Sequence, residues 1–399
     1  MPEGHSIHRL AGQFRVLLGG QVLSVSSPQG RFAAGATRLD GQRLVAVRVH
    51  GKHLFLGFAP ADLKVASVVV VTEGGSRGAI SEDALTWLHV HLGIYGSWRF
   101  TGDKAFHEPL HWLLPELENQ EDSRPDIEAQ QTSHDAKPGS SLDTDAELGS
   151  GLDTDAELGS GLEVTLVDTG QTVIIREIPA HTHADGSAFA PHEHFADRWF
   201  LMPGQFAPFE PVGTVRLRLM NPHGVADLSG PNRCELLDWA QTRAIAARLG
   251  PDPLRPDAQF ADFVARAGRR SKGIGEALMD QNVAAGVGNI YRAEALFAAR
   301  LSPFVPAREV SERKLRRIWD WLVATMPSGV ASGRVTTLAP RDAADFATRQ
   351  AGAGGKIQAV DQRYYVYQRD GRPCVRCGAT VRLAVVGGRK LYWCPRCQR

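Results

Sequence analysis

Apolar residues Ile7, Leu10, Ala11, Phe14, Leu17 and Leu18 recur at spacings of three and four, which predicts a helix with one face committed to packing, ended by Gly19-Gly20. The period then changes to two. "RLVAVRV" predicts a strand with Val45, Val47 and Val49 on one face, "HLFLGF" continues after a tight "HGK" corner, and "TWLHVHL" alternates Leu88, Val90 and Leu92 with Trp87, His89 and His91. From about residue 101 the alternation stops. It returns with "EVTLVDTGQTVIIREI" and with "GTVRLRLMNPHGVADL", where "NPHG" predicts a turn between two strands. Beyond about residue 245 the pattern is helical, with charged faces in "ALMDQNVAAGVGNIYRAEALFAARL" and "SERKLRRIWDWLVATM", and a glycine-rich "QAGAGGK" leads into a cysteine-rich tail. Three units are expected: a β domain over 1–245 carrying a long insertion at 101–213, a helical domain over 246–355, and a small metal-bound tail over 356–399.

Charge sharpens this division. The 399-residue chain is net +1, but residues 103–163 hold 16 acidic and three basic residues, so the remainder is net +14. Within that acidic stretch "LDTDAELGSG" occurs twice in tandem, at 142–151 and 152–161; two short copies cannot bury a core, so a disordered insertion is expected. Without it the protein is basic in the manner of a nucleic-acid binder. No apolar run approaches the length of a membrane span and the first thirty residues lack a signal-peptide pattern, so a cytoplasmic location without membrane contact is expected, on the nucleoid through nucleic-acid binding; a monomer is also expected.

The strongest local chemical signal is Cys374-x2-Cys377-x16-Cys394-x2-Cys397; Cys234 stands apart. Two CxxC pairs with a hairpin-length spacer predict one closed tetrahedral site for zinc, with iron as the alternative, and a tail this short needs such a staple to fold. The spacer would place Arg389 at a hairpin tip. In "NVAAGVGN", glycines too frequent for a helix lie between helical flanks, which predicts a turn leading into a helix near Ile290; its amides and the Asn289 side chain suit a phosphate, and a simple helical hairpin turn is the alternative. The pair Gly286-x-Gly288 lacks the third glycine and the preceding strand of a dinucleotide fingerprint. At the N-terminus, removal of Met1 would expose Pro2 as a secondary amine beside Glu3. An α-amine near 7.7–8.0 is about a tenth neutral at pH 7, far more than a lysine near 10.4, and only the neutral amine attacks carbon. His181, His183, His192 and His194 form two HxH pairs, for which an exposed loop is expected rather than a metal site.

The "MPEG" start, the "GKHLF" corner, the strand "HVHLGIYG", the segment "DQNVAAGVGNIYRAEALF" and the terminal "GRKLYWCPRCQ" together resemble, in that order, the signatures of the Fpg/Nei family of DNA glycosylases. The resemblance spans residues 1–100 and 214–399. It implies an α+β multidomain fold: an N-terminal two-layered β-sandwich, a helix-two-turn-helix domain and a four-cysteine zinc finger closing a DNA cleft. It implies a bifunctional glycosylase and abasic-site lyase of base excision repair, whose partner is DNA with damaged bases or abasic sites and whose one structural cofactor is Zn2+. Carried over by residue, Pro2 is the catalytic amine, Glu3 the general acid/base and Lys52 the assisting lysine. Asn289, Arg389 and His91 are DNA contacts, and Ile94 and Tyr95 stand where the family inserts a wedge. "MPEG", the "YWCPRCQ" ending and "NPHGVADL", which lacks the arginine and phenylalanine of the formamidopyrimidine branch, resemble the endonuclease VIII branch and imply oxidised pyrimidines. His5 and Ser6 depart from the family's commonest residues there. The competing readings are a non-catalytic DNA-binding protein and an RNA- or ribosome-associated zinc protein; neither needs Pro2, Glu3 and Lys52 together.

Overall fold

The computed structural model describes residues 2–62, 81–103, 106, 210–352 and 358–399, and the backbone of 162–166 and 173–177. The acidic repeat and the two HxH pairs lie outside the described residues.

Two four-stranded antiparallel sheets form the N-terminal unit. One runs β10 (Arg233–Leu237), β4 (Thr86–His91), β3 (His53–Pro60), β2 (Gln42–His50); the other runs β1 (Ser24–Ser26), β8 (Val215–Asn221), β9 (Gly224–Ser229), β5 (Ser97–Gly102). Their inner faces share one core, in which Val47, Val49, Leu54, Leu56, Leu88 and Val90 meet Val25, Leu217, Leu219, Ala226 and Leu228. The helix Gly4–Leu18 adds Ile7, Ala11, Phe14, Leu17 and Leu18 to that core, as its spacing required. Strand β5 pairs with β9, Ser97 opposite Ser229, so the chain on both sides of the long intervening segment belongs to one sheet. Inside that segment β6 (Leu162–Leu166) and β7 (Val173–Glu177) pair as a separate hairpin. The "NPHG" turn joins β8 to β9 as expected.

The expected common face of Val45, Val47 and Val49 is not what forms. The register of β2 on β3 shifts between Leu44 and Ala46, and a one-residue irregularity moves every side chain before it to the opposite face. Val45 therefore packs with Ala46, Phe55 and Trp87 on the outer face. The helix Trp239–Arg248 covers that face, its Trp239 ring stacked 5.3 Å from Trp87. This explains why Trp87 and His89 are buried although they alternate with the core residues.

A second core gathers the helices Phe260–Ala267, Ile274–Ala277, Asn289–Ala298 and Glu312–Ser332 around Phe263, Leu296, Ile318, Trp319 and Leu322. The helix Pro340–Gly352 follows, and the tail ends in the hairpin β11 (Arg382–Val386) and β12 (Arg389–Trp393). The N-terminal helix bridges the two large units: its apolar face serves the sandwich, while Arg9 donates to the carbonyls of Val330 and Ala331 at 3.1 and 2.6 Å. Among the described residues no helix is long and apolar enough to cross a membrane.

Candidate functional site

The N-terminus, the β2–β3 corner and the turn before Asn289 converge at one point through their glycines. Gly4 N donates to Gly286 O at 2.8 Å. Gly51 and Gly286 both have positive φ, +61° and +82°, and a Cβ on Gly51 would lie 2.8 Å from Gly286 N. Such close approach of three backbones is open only to residues without a Cβ. Gln281 braces the turn, accepting from Gly286 N at 3.0 Å and donating to Val287 O at 3.0 Å.

Glu3 is 2% exposed and points across this junction. Its Oε1 accepts from Ile290 N at 2.9 Å and its Oε2 from Tyr291 N at 3.4 Å, so the carboxyl group occupies the first turn of the helix Asn289–Ala298. Amides expected to face a phosphate thus hold a protein carboxylate instead, a placement no local pattern announces. Burial pushes the Glu3 pKa up, against Lys52 and the two helix amides, which favour its charged form. Lys52, at the corner after Gly51, is pushed down to about 8 by burial, with Glu3 raising it and Arg389 lowering it further. Pro2 is half-buried beside Glu3. A carboxyl held toward its protonated form and an ammonium held toward its neutral form are the opposed shifts that acid/base chemistry near pH 7 requires.

Asn289 is committed within the protein: its Nδ2 donates to Lys390 O at 2.9 Å and its Oδ1 accepts from buried Arg292, which also donates to Lys390 O at 3.0 Å and Gly275 O at 3.1 Å. These bonds dock the zinc-finger hairpin on the helix start. Arg389 begins β12, opposite Val386 across the Gly387-Gly388 turn, and its charge lowers the pKa of both Lys52 and Arg292, so the expected hairpin tip reaches the Lys52 corner. His91 ends β4, where burial, helped by His89, Lys52 and Arg233, lowers its pKa to about 4. Ile94 and Tyr95, in the β4–β5 turn, are 53% and 87% exposed, so neither serves the core.

Sequence reasoning missed Asp252. Fully buried, it accepts from His8 Nε2 and Gly51 N, both at 2.8 Å, and from Leu254 N at 3.0 Å, and these partners hold its carboxyl below the usual range. One carboxylate so ties the N-terminal helix, the Lys52 corner and the start of the helical unit. His5, the departure from the family pattern, is a packing residue: 7% exposed, it meets the Tyr291 ring edge-on at 5.5 Å.

The ligand atoms of Cys374, Cys377, Cys394 and Cys397 all lie within 4.8 Å of one another. Four sulfurs about 2.3 Å from one ion would stand some 3.8 Å apart; Cys374–Cys397 at 3.9 Å and Cys377–Cys394 at 3.4 Å fit such a site. All four positions are filled by protein, so the zinc is structural.

A sandwich, a helix-two-turn-helix unit and a zinc finger meeting at a buried carboxylic acid and a depressed lysine belong to the class of DNA glycosylases that are also abasic-site lyases, as the relatives show. Residues 249–340 match the formamidopyrimidine-DNA glycosylase H2TH domain, and residues 371–399 match the zinc finger found in FPG and IleRS. Endonuclease 8 1 of Mycobacterium bovis is 30% identical over 399 residues, covering all of both chains. Formamidopyrimidine-DNA glycosylase of Thermus thermophilus is 41% identical over 152 residues, 38% of this chain and 54% of that one. In fold, the chain resembles Lactococcus lactis Fpg, solved in complex with DNA containing an abasic site, at a TM-score of 0.54, 15% identity and coverage of 100% and 99%. The chain belongs to the Fpg/Nei family of DNA glycosylases.

Proposed function

We propose that the protein excises oxidised pyrimidines from DNA through an iminium (Schiff base) on Pro2 and then cuts the strand by elimination. The observation that carries the reading is the Glu3–Lys52 pair: the acid, next in sequence to Pro2, is buried on the helix amides with its pKa raised, and it interacts electrostatically with a lysine pushed down to about 8. With Met1 removed, the neutral Pro2 amine attacks C1′ of the damaged nucleotide while protonated Glu3 delivers its proton to the sugar ring oxygen. The ring opens, the proline nitrogen gives up its proton as the departing base takes one up, its freed lone pair forms the cationic iminium as the C1′–base bond breaks, and the iminium makes the C2′ proton acidic. The Glu3 carboxylate, having given up its own proton, takes this one, and the C3′–O bond breaks to release the 3′ phosphate. The positive charges of Lys52 and Arg389 stabilise the phosphate that leaves. The zinc, held by the four cysteines, supplies no reaction step; it keeps β11–β12 folded so that Arg389 reaches this place.

Flipping a base out leaves a gap in the stack. The exposed Ile94 and Tyr95 serve as the wedge, and His91 and Arg389 contact backbone phosphates. Asn289 contributes mainly by docking the hairpin. For the endonuclease VIII branch, from which the pyrimidine class is inferred, support comes from the Mycobacterium bovis endonuclease 8 relative, which aligns along both whole chains. The β8–β9 turn agrees: His223 is tied to Asp103 at 3.0 Å and offers no arginine or phenylalanine to fill a gap. We divide the chain accordingly into a catalytic unit to about residue 245, a helical DNA-binding unit to about 355, and the zinc finger.

The test is borohydride trapping on a duplex with an abasic site, with the adduct located by mass spectrometry. A covalent adduct on Pro2, absent when an uncleaved N-terminal extension blocks the amine, is expected. An adduct that persists in the blocked protein and disappears with Lys52→Ala would assign the nucleophile to Lys52 instead.

A further inference from the structure

The outer face of β3, β4 and β10 carries polar side chains that the chemistry above leaves unused. Register sets His53 opposite His91 and His91 opposite Arg233; one rung on, Phe55 stands opposite His89 and His89 opposite Glu235. His89 is 1% exposed, yet both its nitrogens are partnered: Nδ1 lies 3.0 Å from Glu235 Oε1, and Nε2 lies 2.9 Å from His53 Nδ1. An ionised carboxylate only accepts, so His89 carries its proton on Nδ1. Its Nε2 is then a bare lone pair, and His53 must donate to it from Nδ1. The two imidazole planes differ by 8° with centroids 5.2 Å apart, the separation of coplanar rings joined nitrogen to nitrogen. The bond therefore lies in both ring planes, and Phe55 covers His89 at 4.8 Å and 17°.

Beyond that bond His53 is restricted but not buried. It lines a cavity of about 350 Å³ with Glu235, Arg233 and Arg248, and its Nε2 is neither hydrogen-bonded nor among the buried atoms lacking a partner. The His91 ring rests 4.8 Å from it at 45°. His91 Nδ1 is buried without a partner, which costs least as a bare lone pair, so the proton of His91 sits on its outward Nε2. Among the described residues, the one cluster of three or more histidine, cysteine or carboxylate groups close enough to share a metal ion is that of the four cysteines.

We propose that Glu235, acting through His89 and His53, is a positioning residue for His91: it fixes the tautomers of both intervening imidazoles, and the immobilised His53 ring is the wall that aims the His91 Nε2–H at a backbone phosphate. The inference rests on the reading of His91 as a phosphate contact. Replacing the carboxylate by an amide that can donate as well as accept lets both rings reverse their tautomers. An N–H then faces out of His53, against a histidine already flanked by Lys52 and Arg233.

Nitrogen NMR on the full-length zinc-loaded protein reads the tautomers without any substitution; both His89 and His53 should be protonated at Nδ1 alone, and the reversed pattern would overturn the proposal. In a binding cycle with duplex carrying a stable abasic analogue, Glu235→Gln and His91→Ala should each weaken affinity about three- to tenfold, the size of one hydrogen bond. The double variant should be no weaker than His91→Ala. Glu235→Gln should keep its trapping rate on saturating abasic-site duplex within about twofold, placing the effect in KM and not in kcat. Additive losses in the cycle would remove the link between Glu235 and His91 while leaving the phosphate contact standing. A His91→Ala variant with unchanged affinity would remove the phosphate reading itself, and the positioning role with it.

Discussion

Gly288→Ala places a methyl group where Glu3 must be. A Cβ built on Gly288 lies 2.3 Å from Glu3 Cδ, 2.4 Å from Cγ and 2.6 Å from Oε1. Non-bonded carbons rest at about 3.5 Å or more, so the carboxyl group must withdraw by roughly 1.2 Å. Its bond to Ile290 N is 2.9 Å long and that to Tyr291 N 3.4 Å, and neither survives such a movement. Overpacking of a tight site costs about 1–3 kcal/mol of stability, and displacing a general acid removes about 10²–10⁴ in rate, or some 3–5 kcal/mol in the barrier. Single-turnover borohydride trapping on abasic-site duplex should therefore slow at least a hundredfold or so, while affinity for DNA, measured by gel shift, changes far less. Gly12→Ala is the control: its Cβ meets nothing within 4 Å, it lies inside the helix Gly4–Leu18, and it should gain about 0.5–1 kcal/mol. A Gly288→Ala protein that traps within threefold of the parent would refute both the placement of Glu3 and its role as proton donor.

Lys52 makes stability depend on pH with a definite sign. Its pKa falls from 10.5 unfolded to about 8 folded, so between these values the unfolded chain binds the extra proton and the folded state gains stability as pH rises. Lys52→Met should accordingly stabilise the protein below about pH 8, by at most ~3 kcal/mol, and lose that advantage by about pH 10.5 while trapping collapses at every pH; denaturant midpoints across the range check it. Glu294→Ala strips three successive amides, of Tyr365, Val366 and Tyr367, of the buried carboxylate that accepts from them and from Thr337; a loss of about 3–5 kcal/mol is expected in thermal or denaturant unfolding. A strong chelator should melt residues 371–399, weaken DNA binding and slow trapping together, and readdition of zinc should restore all three.

Much of the chemistry was legible along the chain because it is encoded by short, local rules. Four cysteines at CxxC spacing demand one ion whatever surrounds them, and the helix carrying Phe14 and Leu18 declares its buried face by period alone. Outward positions were harder. The shift at Leu44–Ala46 moved Val45 to the second face, since a period of two carries no memory across a bulge. The helix Trp239–Arg248 buried a strand face that alternation marks as polar, turning His89 into an interior residue.

Pro2, Glu3, Lys52, Asn289 and Arg389 could be named from the sequence, but nothing in it says that Glu3 rests on the amides of Ile290 and Tyr291, or that Asn289 holds Lys390. Asp252 and its partner His8 are 244 residues apart, and Glu235 reaches His53 only through a third side chain. Residue type and spacing thus determined the zinc staple, and the family resemblance supplied the proposed amine, acid, lysine and wedge. Only the tertiary structure decided the protonation of Glu3 and Lys52. A pKa is set by burial and by charges that arrive from other segments, and those distances exist only once the N-terminal helix, the β2–β3 corner, the glycine turn and the hairpin tip have met.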